Sequence, residues 1–185
     1  MEIPPHELGT SPTFCSKCSN EIPAGNNFCR KCGNKIEITE KINAAFNQLN
    51  KEDNAIKNKI NELLMDNKNQ EAIQYCDTAI RQGLSISDKC NVLYSKGMAL
   101  FSLRRYQEAE KQFDSILEFY PENTDALCQK GACIMFHSDD TENPKESIEN
   151  YKNALSYMDK VLKLDPNHEV ALRRKTSIMW VLDTN

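Results

Sequence analysis

Apolar residues recur every three or four positions along residues 90–123, and this spacing predicts two consecutive helices. The first helix carries Leu93, Met98, Leu100 and Leu103, and the second carries Tyr106, Ala109, Phe113, Ile116 and Leu117. Gly97 and Ala109 are small residues at positions where two packed helices approach closely. Pro121 ends the second helix because its nitrogen cannot donate a helical hydrogen bond. The stretch therefore predicts one helix–turn–helix unit of 34 residues.

The small, aromatic and proline positions of this unit, taken together, resemble the tetratricopeptide repeat. They are Gly97, Tyr106, Ala109, Phe113 and Pro121. One such unit cannot bury its own apolar face, so the resemblance implies neighbours that stack on it. The implied fold is mostly α: a tetratricopeptide-type solenoid of helical hairpins over residues 54–185, with about three repeats and a closing helix.

The same pattern restarts at Thr124, but its second helix fits only after an insertion of eleven residues. The polar run 137–147 supplies these residues between the two helices, with Pro144 well placed as a first helical residue. The apolar series that follows predicts a longer second helix than usual. Upstream, residues 70–83 resemble the second helix of an earlier repeat. Downstream, residues 168–182 predict a single helix that closes the solenoid.

Two Cys-x2-Cys pairs lie in residues 14–36, with ten residues between them. They are Cys15 with Cys18 and Cys29 with Cys32. Two residues between thiolates allow a tight turn to direct both sulfurs at one ion, and two such turns complete a tetrahedron. Zinc favours this all-sulfur arrangement. A rubredoxin-like iron site and a pair of disulfides are the alternatives, and the absence of a secretion signal disfavours the disulfides.

The segment 14–36 resembles the short β zinc ribbons at the N-termini of many bacterial and archaeal proteins. It departs from their pattern at Ser19, where the family usually has glycine. Four thiolates leave no open coordination position, so the resemblance implies one structural Zn²⁺ and no catalytic metal. A module this small has almost no core, and metal binding would supply its folding free energy.

The ribbon is weakly basic within an acidic chain. Lys17, Arg30, Lys31 and Lys35 against Glu21 give a formal charge of +3, whereas the whole chain carries −4. Lys17, Phe28, Arg30 and Lys31 are candidate nucleic-acid contacts, because basic side chains beside an aromatic ring suit phosphate binding and base stacking. The alternative is that Phe14 and Phe28 shield the zinc and the basic residues only face water.

Residues 37–53 are predicted to be a helical linker between the ribbon and the repeats. From this linker into the first repeat helix, apolar residues alternate at steps of four and three, and Asp53 interrupts the series. The apolar residues are Ile42, Phe46, Leu49, Ile56, Ile60 and Leu63. A continuous helix over about residues 40–66 would carry the ribbon on a stalk, or pair two chains as a homodimer. A break near residues 50–53 is the alternative. We expect a helix that packs back on the repeats.

The resemblance to tetratricopeptide proteins implies a protein partner bound along the first helices of the repeats, as an amphipathic helix or an extended peptide. The candidate groove residues are Lys57, Asn61, Asn91, Tyr94, Met98, Phe101, Gln129, Met135 and Phe136. Lys57 and Asn61 match two members of the clamp with which some family members hold a chaperone's C-terminal carboxylate. Ser95, Asp125 and Gln129 depart from that clamp, so no chaperone partner is expected. Alternatively, several apolar members pack between helices.

The other four cysteines have no metal-ligand spacing, so we interpret them as small buried hydrophobic residues. They are Cys76, Cys90, Cys128 and Cys133. Trp180 lies on the predicted closing helix, and we expect it to pack on the last repeat, because a bare tryptophan favours aggregation. An exposed Trp180 would instead be a candidate interface anchor.

Composition and motifs limit the possible functions. No apolar run approaches the roughly 18 residues of a membrane span, and residues 1–13 form a proline-containing flexible tail without a signal-peptide core, so a cytoplasmic protein is expected. There is no phosphate loop and no nucleophile elbow, and His137 in a loop and His168 at a helix start have no partners for catalysis. The prediction is a non-enzymatic adaptor. A nucleic-acid or ribonucleoprotein factor and a zinc- or redox-responsive scaffold are the alternatives.

Overall fold

The computed structural model describes residues 13–15, 17–22, 28–34 and 37–184. The chain divides into two compact units, Met1–Glu52 and Asp53–Asn185. Residues 1–12, most of the predicted tail, lie outside the described residues, as does Lys35.

The described part of the first unit begins with a short antiparallel strand pair. Strand β1 (Thr13–Phe14) pairs with β2 (Glu21–Ile22), and Phe14 lies opposite Glu21. The first Cys-x2-Cys turn lies between these strands and the second follows them. The small β ribbon predicted at the N-terminus therefore has two paired strands of two residues each.

Helix α1 spans Glu37–Met65 without a break at residues 50–53. In its C-terminal half, Ile60 and Leu63 are buried. Leu63 packs with Ala72 and Ile73, and Ile60 packs in a neighbouring cluster with Cys76, Ala79 and Val92. This half of α1 therefore serves as the first helix of the repeats. The side chains of Ile42, Phe46 and Leu49 lie outside the described part of the chain, so homodimer formation through this seam stays a prediction.

Six further helices follow, and each packs on its neighbour in the sequence. They are α2 (Asn69–Arg81), α3 (Ile86–Ser102), α4 (Tyr106–Phe119), α5 (Thr124–Asp139), α6 (Pro144–Leu164) and α7 (Glu169–Thr184). Helix α7 packs on α6 and also reaches α5. The expected solenoid of helical hairpins is confirmed, and α7 follows the last hairpin.

Small residues set the spacing within the hairpins. A Cβ atom placed on Gly97 of α3 would lie 2.7 Å from Cζ of Phe113, a ring that is fully buried on α4. The same relation recurs one repeat later, where a Cβ on Gly131 would lie 2.4 Å from Cε of Met158. Ala109 and Ala154 on the second helices have no exposed surface. The two hairpins are thus packed around equivalent residues.

The inserted residues lie mostly within the two helices, and Pro144 begins a long α6, as predicted. Only residues 140–143 lie between the two helices, so the extra residues extend both of them, and α6 reaches 21 residues. Their polar side chains find partners inside the extended hairpin. The Ser147 hydroxyl donates to the Ser138 carbonyl at 3.2 Å, and the Tyr151 hydroxyl donates to Asp139. His137, expected in a loop, lies in the last turn of α5.

Trp180 is exposed, contrary to the expectation that it packs on the last repeat. Its exposed fraction is 69%, whereas Ala171 and Ile178 of the same helix are buried. Two residues correspond to about 200° of rotation around a helix, so Trp180 lies on the face opposite Ile178. It remains the candidate interface anchor. The four remaining cysteines, by contrast, are all buried, as predicted.

A lysine–aspartate pair recurs where each hairpin meets the next first helix. The pairs are Lys96 with Asp77, Lys130 with Asp114, and Lys175 with Asp159, each joined over 2.6 Å. Every aspartate directly follows a core residue of the second helix: Cys76, Phe113 or Met158. The ion pair is thus a repeated element of the inter-repeat contact. It was not predicted from the sequence.

Candidate functional site

The cysteine pairs lie on two turns with the same hydrogen-bond pattern. In the first, the Cys15 amide donates to the Asn20 carbonyl at 2.9 Å, and the Ser19 amide donates to the Cys15 carbonyl at 2.8 Å. In the second, the same bonds join Cys29, Gly33 and Asn34, both at 2.9 Å. Ser19 and Gly33 both have positive φ, 51° and 70°. The two turns are therefore structural repeats of each other.

The turns bring the four cysteine sulfurs together, all within 4.8 Å of one another. The Cys15 and Cys32 sulfurs are 3.6 Å apart and the Cys18 and Cys29 sulfurs 3.5 Å. Zn–S bonds of about 2.3 Å in a tetrahedron require sulfurs roughly 3.8 Å apart, whereas a disulfide bond is only about 2.05 Å long. The donor set and its spacing therefore fit one structural zinc ion.

Backbone amides favour the ligating thiolate at two of these cysteines. The backbone N–H of Lys17 contributes most to lowering the pKa of Cys15 to about 6. Burial raises the pKa of Cys29, but the N–H groups of Cys32 and Lys31, together with the sulfurs of Cys18 and Cys32, lower it by more. A hydrogen bond to a thiolate stabilises the charged form, which is the form that binds zinc.

Cys18 behaves in the opposite way. The backbone N–H of Asn20 lowers its pKa, but burial and the crowding of the other three sulfurs raise it to about 12. The crowding thus favours a protonated thiol at Cys18, and zinc binding releases that proton.

Both ribbon phenylalanines face outwards. Phe14 and Phe28 each expose 56% of their surface, which disfavours the alternative that they shield the zinc. Each one precedes a buried cysteine, and neighbouring side chains of an extended segment point in opposite directions. The candidate nucleic-acid contacts Lys17, Arg30 and Lys31 are exposed as well.

The repeat unit contains a cavity of about 350 Å³ on the face formed by its first helices. Residues of α1, α3, α4 and α5 and of the turn before α5 line it: Lys57, Ile60, Asn61, Cys90, Asn91, Val92, Tyr94, Ser95, Ile116, Asn123 and Asp125. Four of the predicted groove residues are among them, namely Lys57, Asn61, Asn91 and Tyr94. Met98, Phe101, Gln129, Met135 and Phe136 do not line this cavity.

Two of these other residues belong to an aromatic cluster between helices. The ring centroids of Phe101 and Phe136 are 5.2 Å apart, and Tyr106 lies 5.2 Å from Phe101 and 5.8 Å from Phe136. Met98 packs against the same core, and Met135 packs against the next core cluster. These contacts favour the alternative that several apolar groove candidates pack between helices.

A hydrogen-bond chain crosses the first-helix face from α3 to α7. Nε2 of Gln129 donates to the Tyr94 hydroxyl at 3.3 Å, and Arg174 donates to Oε1 of Gln129 at 3.2 Å and to the Cys128 carbonyl at 3.1 Å. Burial raises the pKa of Tyr94, which keeps its hydroxyl protonated. The sequence interpretation missed Arg174, because only the fold places α7 beside α5.

The charged residues lining the cavity differ in how they are paired. Nζ of Lys57 lies 2.6 Å from Oδ1 of Asp88. The Asp125 side chain is 73% exposed, and its carboxylate lies 3.8 Å from Nε2 of His168. His168 also accepts a hydrogen bond from the Ala171 amide and so caps α7.

A second recess adjoins the cavity at the turn between α4 and α5. It encloses about 630 Å³ and is lined by Phe119, Tyr120, Pro121, Glu122 and Asn123, the last of which also lines the first cavity. The two aromatic side chains expose 41% and 44% of their surface. The sequence signal was the Phe-Tyr-Pro run, which was interpreted only as a helix end.

Comparison with known proteins places both parts of the chain. A family model described as a zinc-ribbon domain matches residues 14–36. A model of the tetratricopeptide repeat matches residues 91–123 and 145–168. No curated protein matches the chain. Across the residues that the structure describes, no helix is both long and apolar enough to span a membrane.

Similar solved structures contain tetratricopeptide repeats. The first repeat domain of Spaghetti (RPAP3), bound to the HSP90 peptide SRMEEVD, has a TM-score of 0.55 at 19% identity, covering 71% of this chain and 93% of that chain. The second domain of human RPAP3, in complex with the HSP70 peptide SGPTIEEVD, has 0.53 at 18%, covering 67% and 92%. A thermophilic repeat protein of Thermus thermophilus has 0.62 at 11%, covering 71% and 66%. These likenesses show the fold.

Proposed function

We propose that this zinc-ribbon and tetratricopeptide-repeat protein is a non-enzymatic adaptor whose repeats hold a peptide or helix of a partner protein. The observation that carries the proposal is the cavity of about 350 Å³ on the first-helix face, lined from three successive first helices. Amide and hydroxyl groups of Asn61, Asn91 and Ser95 lie there beside the Tyr94 ring. Such a mixture suits a peptide, which offers both backbone hydrogen bonds and apolar side chains.

The proposed binding residues are those that line the cavity: Lys57, Asn61, Asn91 and Tyr94. The proposed boundaries are a ribbon at residues 14–36, a helical linker at 37–53 and a repeat domain at 54–185. In this arrangement the zinc ion supports the ribbon, and recognition belongs to the repeats. We place the protein in the cytoplasm, where cysteines stay reduced and available to zinc.

The peptides bound by the two RPAP3 domains end in Glu-Glu-Val-Asp. They support peptide binding as a property of the architecture, but the carboxylate clamp is incomplete in this chain. Lys57 is already paired with Asp88, and Asp125 and Gln129 stand where the clamp has basic residues. The proposed partner is therefore not a chaperone tail.

Site-specific photocrosslinking tests this function. A photoreactive amino acid at Asn91 lies at the cavity, whereas the same group at Lys111 lies on the exposed side of α4. In native extract, we expect the Asn91 probe to crosslink one protein segment, identified by mass spectrometry, and the Lys111 probe not to do so. Equal adducts from both positions, or none from either, would contradict recognition at the cavity.

A second function, binding of RNA or DNA by the ribbon, is favoured by the exposure of Phe14 and Phe28 beside Lys17, Arg30 and Lys31. Exposed rings can stack on bases while basic side chains contact phosphates. This function predicts salt-dependent RNA binding that is lost in an Arg30→Glu, Lys31→Glu variant. Binding that survives both substitutions would exclude the ribbon as the contact.

A further inference from the structure

The positive charge at the cavity is neutralised from within the protein. Nζ of Lys57 is 2.6 Å from Oδ1 of Asp88, whose side chain is only 17% exposed. Oδ2 of Asp88 accepts a further hydrogen bond from the Ser85 hydroxyl at 2.6 Å, which holds the carboxylate in place. An incoming anion would have to compete with this pair. Lys57 therefore offers little to an acidic ligand.

Arg174 is also engaged. Its guanidinium donates to the Cys128 carbonyl and to Gln129, and Gln129 in turn bonds Tyr94. The N-terminus of α5 is partly satisfied as well, because the Asn123 side chain accepts from the Ala126 amide at 2.8 Å. The basic side chains of Lys57 and Arg174 thus both already have partners inside the chain.

The negative charge at the cavity is open to solvent. The Asp125 side chain is 73% exposed, and His168, at 3.8 Å, is beyond hydrogen-bond distance. Asp125 lies in the first turn of α5. A cationic group of a ligand in the cavity can therefore pair with Asp125 without displacing an internal partner.

The adjoining recess favours an apolar side chain of the ligand, in contrast to the cationic group that Asp125 favours. Phe119 and Tyr120 form its aromatic surface, and Nζ of Lys89 lies 5.5 Å from the Phe119 ring centroid. A second cation there would meet Lys89, whereas an apolar side chain would cover the rings. Asn123 lines both spaces, so one extended segment can occupy the cavity and the recess together.

We infer that the cavity and the Phe119–Asn123 recess together form a groove that selects an extended peptide segment. This segment has a lysine or arginine opposite Asp125 and an apolar side chain in the recess. The groove rejects acidic C-terminal tails. The inference rests on the proposed peptide-binding function. It is opposite in charge to the peptides held by the RPAP3 domains. The reason is that this chain presents a carboxylate where a carboxylate clamp requires a base.

A random dodecapeptide library on phage, selected on the full-length zinc-loaded protein, tests the inference. We expect the wild-type pool to be enriched in Lys or Arg next to an apolar residue. Selection on Asp125→Asn should lose the basic enrichment but keep the apolar one, and Asp125→Lys should select Glu or Asp. Asp183→Asn, which removes an exposed carboxylate from α7, is the matched control and should select the wild-type sequences.

The consensus peptide, synthesised with a fluorophore, gives the affinity by anisotropy. We expect Asp125→Asn to weaken binding about tenfold and to reduce its salt dependence, because one charge pair is lost. An acidic or charge-indifferent consensus, or micromolar binding of the acidic peptide SGPTIEEVD by the wild-type protein, would overturn the inference. Failure to enrich any sequence over a folded Ser95→Trp variant, whose cavity is filled, would instead overturn the peptide-binding function itself.

Discussion

Gly97 leaves space for the Phe113 ring where α3 crosses α4. A Cβ at this position would lie 2.7 Å from Cζ and 2.9 Å from Cε1 of Phe113, and the ring cannot withdraw because it is fully buried. We expect Gly97→Ala to lower the free energy of unfolding by about 1–2 kcal/mol, since the clash outweighs a helix-propensity gain of about 1 kcal/mol. Urea denaturation followed by circular dichroism measures this change.

A double variant separates the clash from other causes. Phe113→Leu removes the contacting ring, so Gly97→Ala in that background should cost at least about 1 kcal/mol less than in the wild-type background. Asn91→Ala, an exposed change on the same helix, serves as the control and should stay within about 0.5 kcal/mol of the wild type. Strictly additive costs would show that the Phe113 ring is not the obstacle.

Ser19 occupies the position in the first turn that Gly33 occupies in the second. Its φ of 51° strains a side-chain-bearing residue, whereas Gly33 adopts the equivalent 70° without strain. We expect Ser19→Gly to stabilise the zinc-bound ribbon by about 1 kcal/mol, a roughly fivefold gain in zinc affinity. Competition with a chromophoric chelator measures the affinity.

Gly33→Ser is the mirror-image control for this prediction. Nothing lies within 4 Å of a Cβ built on Gly33, so only the backbone conformation opposes a side chain there. We expect this variant to lose about as much zinc affinity as Ser19→Gly gains. Shifts in the same direction for both variants would show that positive φ does not control the stability of these turns.

At the scale of the element, the lysine–aspartate pairs differ in burial, and we expect the strength of their attraction to differ with it. The Lys130 side chain is 16% exposed, whereas that of Lys175 is 37% exposed. Burial lowers the pKa of Lys130, but its interactions with Asp114 and Tyr157 together raise it by more, so the lysine stays charged. Less solvent around the pair means less screening of the attraction.

We expect Lys130→Met to lower the free energy of unfolding by about 1–2 kcal/mol, because Asp114 loses its partner while the side-chain volume is kept. The same change at Lys175 should cost no more than about 1 kcal/mol. Denaturant titrations of both variants measure the difference. Lys160→Met, on the exposed face of α6, is the control, and an equal loss at Lys130 and Lys175 would contradict the dependence on burial.

The α5–α6 hairpin shows why element boundaries were harder to predict than element order. The run 137–147 is polar, and polarity alone describes both a loop and a solvent-facing helical turn. Two contacts fix the boundary: Asn143 caps α6, and the Arg104 guanidinium reaches Asp140 at 2.5 Å from the preceding hairpin. The second of these contacts joins residues 36 positions apart and has no signal in the local sequence.

At the scale of the molecule, the eight cysteines divide between the zinc ribbon and the cores of the repeats. The ribbon cysteines form a cluster of their own, whereas the other four belong to the cores of the repeats. Burial raises the pKa of Cys76 and of Cys133 to about 12 and also raises those of Cys90 and Cys128. Their reactive thiolate forms are therefore scarce at neutral pH.

Counting reactive thiols tests this division. At pH 8 a chromogenic disulfide reagent should detect no thiol in the zinc-loaded protein, four after chelation, and all eight only after denaturation. The helical circular dichroism of the repeats should survive chelation, because their cores contain no zinc ligand. A Cys76→Ala variant should still release four thiols with chelator. A fifth reactive thiol in the chelated, folded protein would contradict this division.

Two features followed from the sequence alone because their physical causes are local. Cysteine spacing determines the zinc ligands, and the steps of three and four between apolar residues, with Gly97, Ala109 and Pro121 at fixed offsets, determine the hairpins. The exposure and the contacts of a side chain depend on which elements pack against it. Only the tertiary structure therefore showed that Trp180 faces outwards and that Phe101 and Phe136 pack together. Tertiary structure also determines which basic side chains near the cavity have internal partners, because Asp88 reaches Lys57 and Arg174 reaches Gln129 only after the helices have stacked.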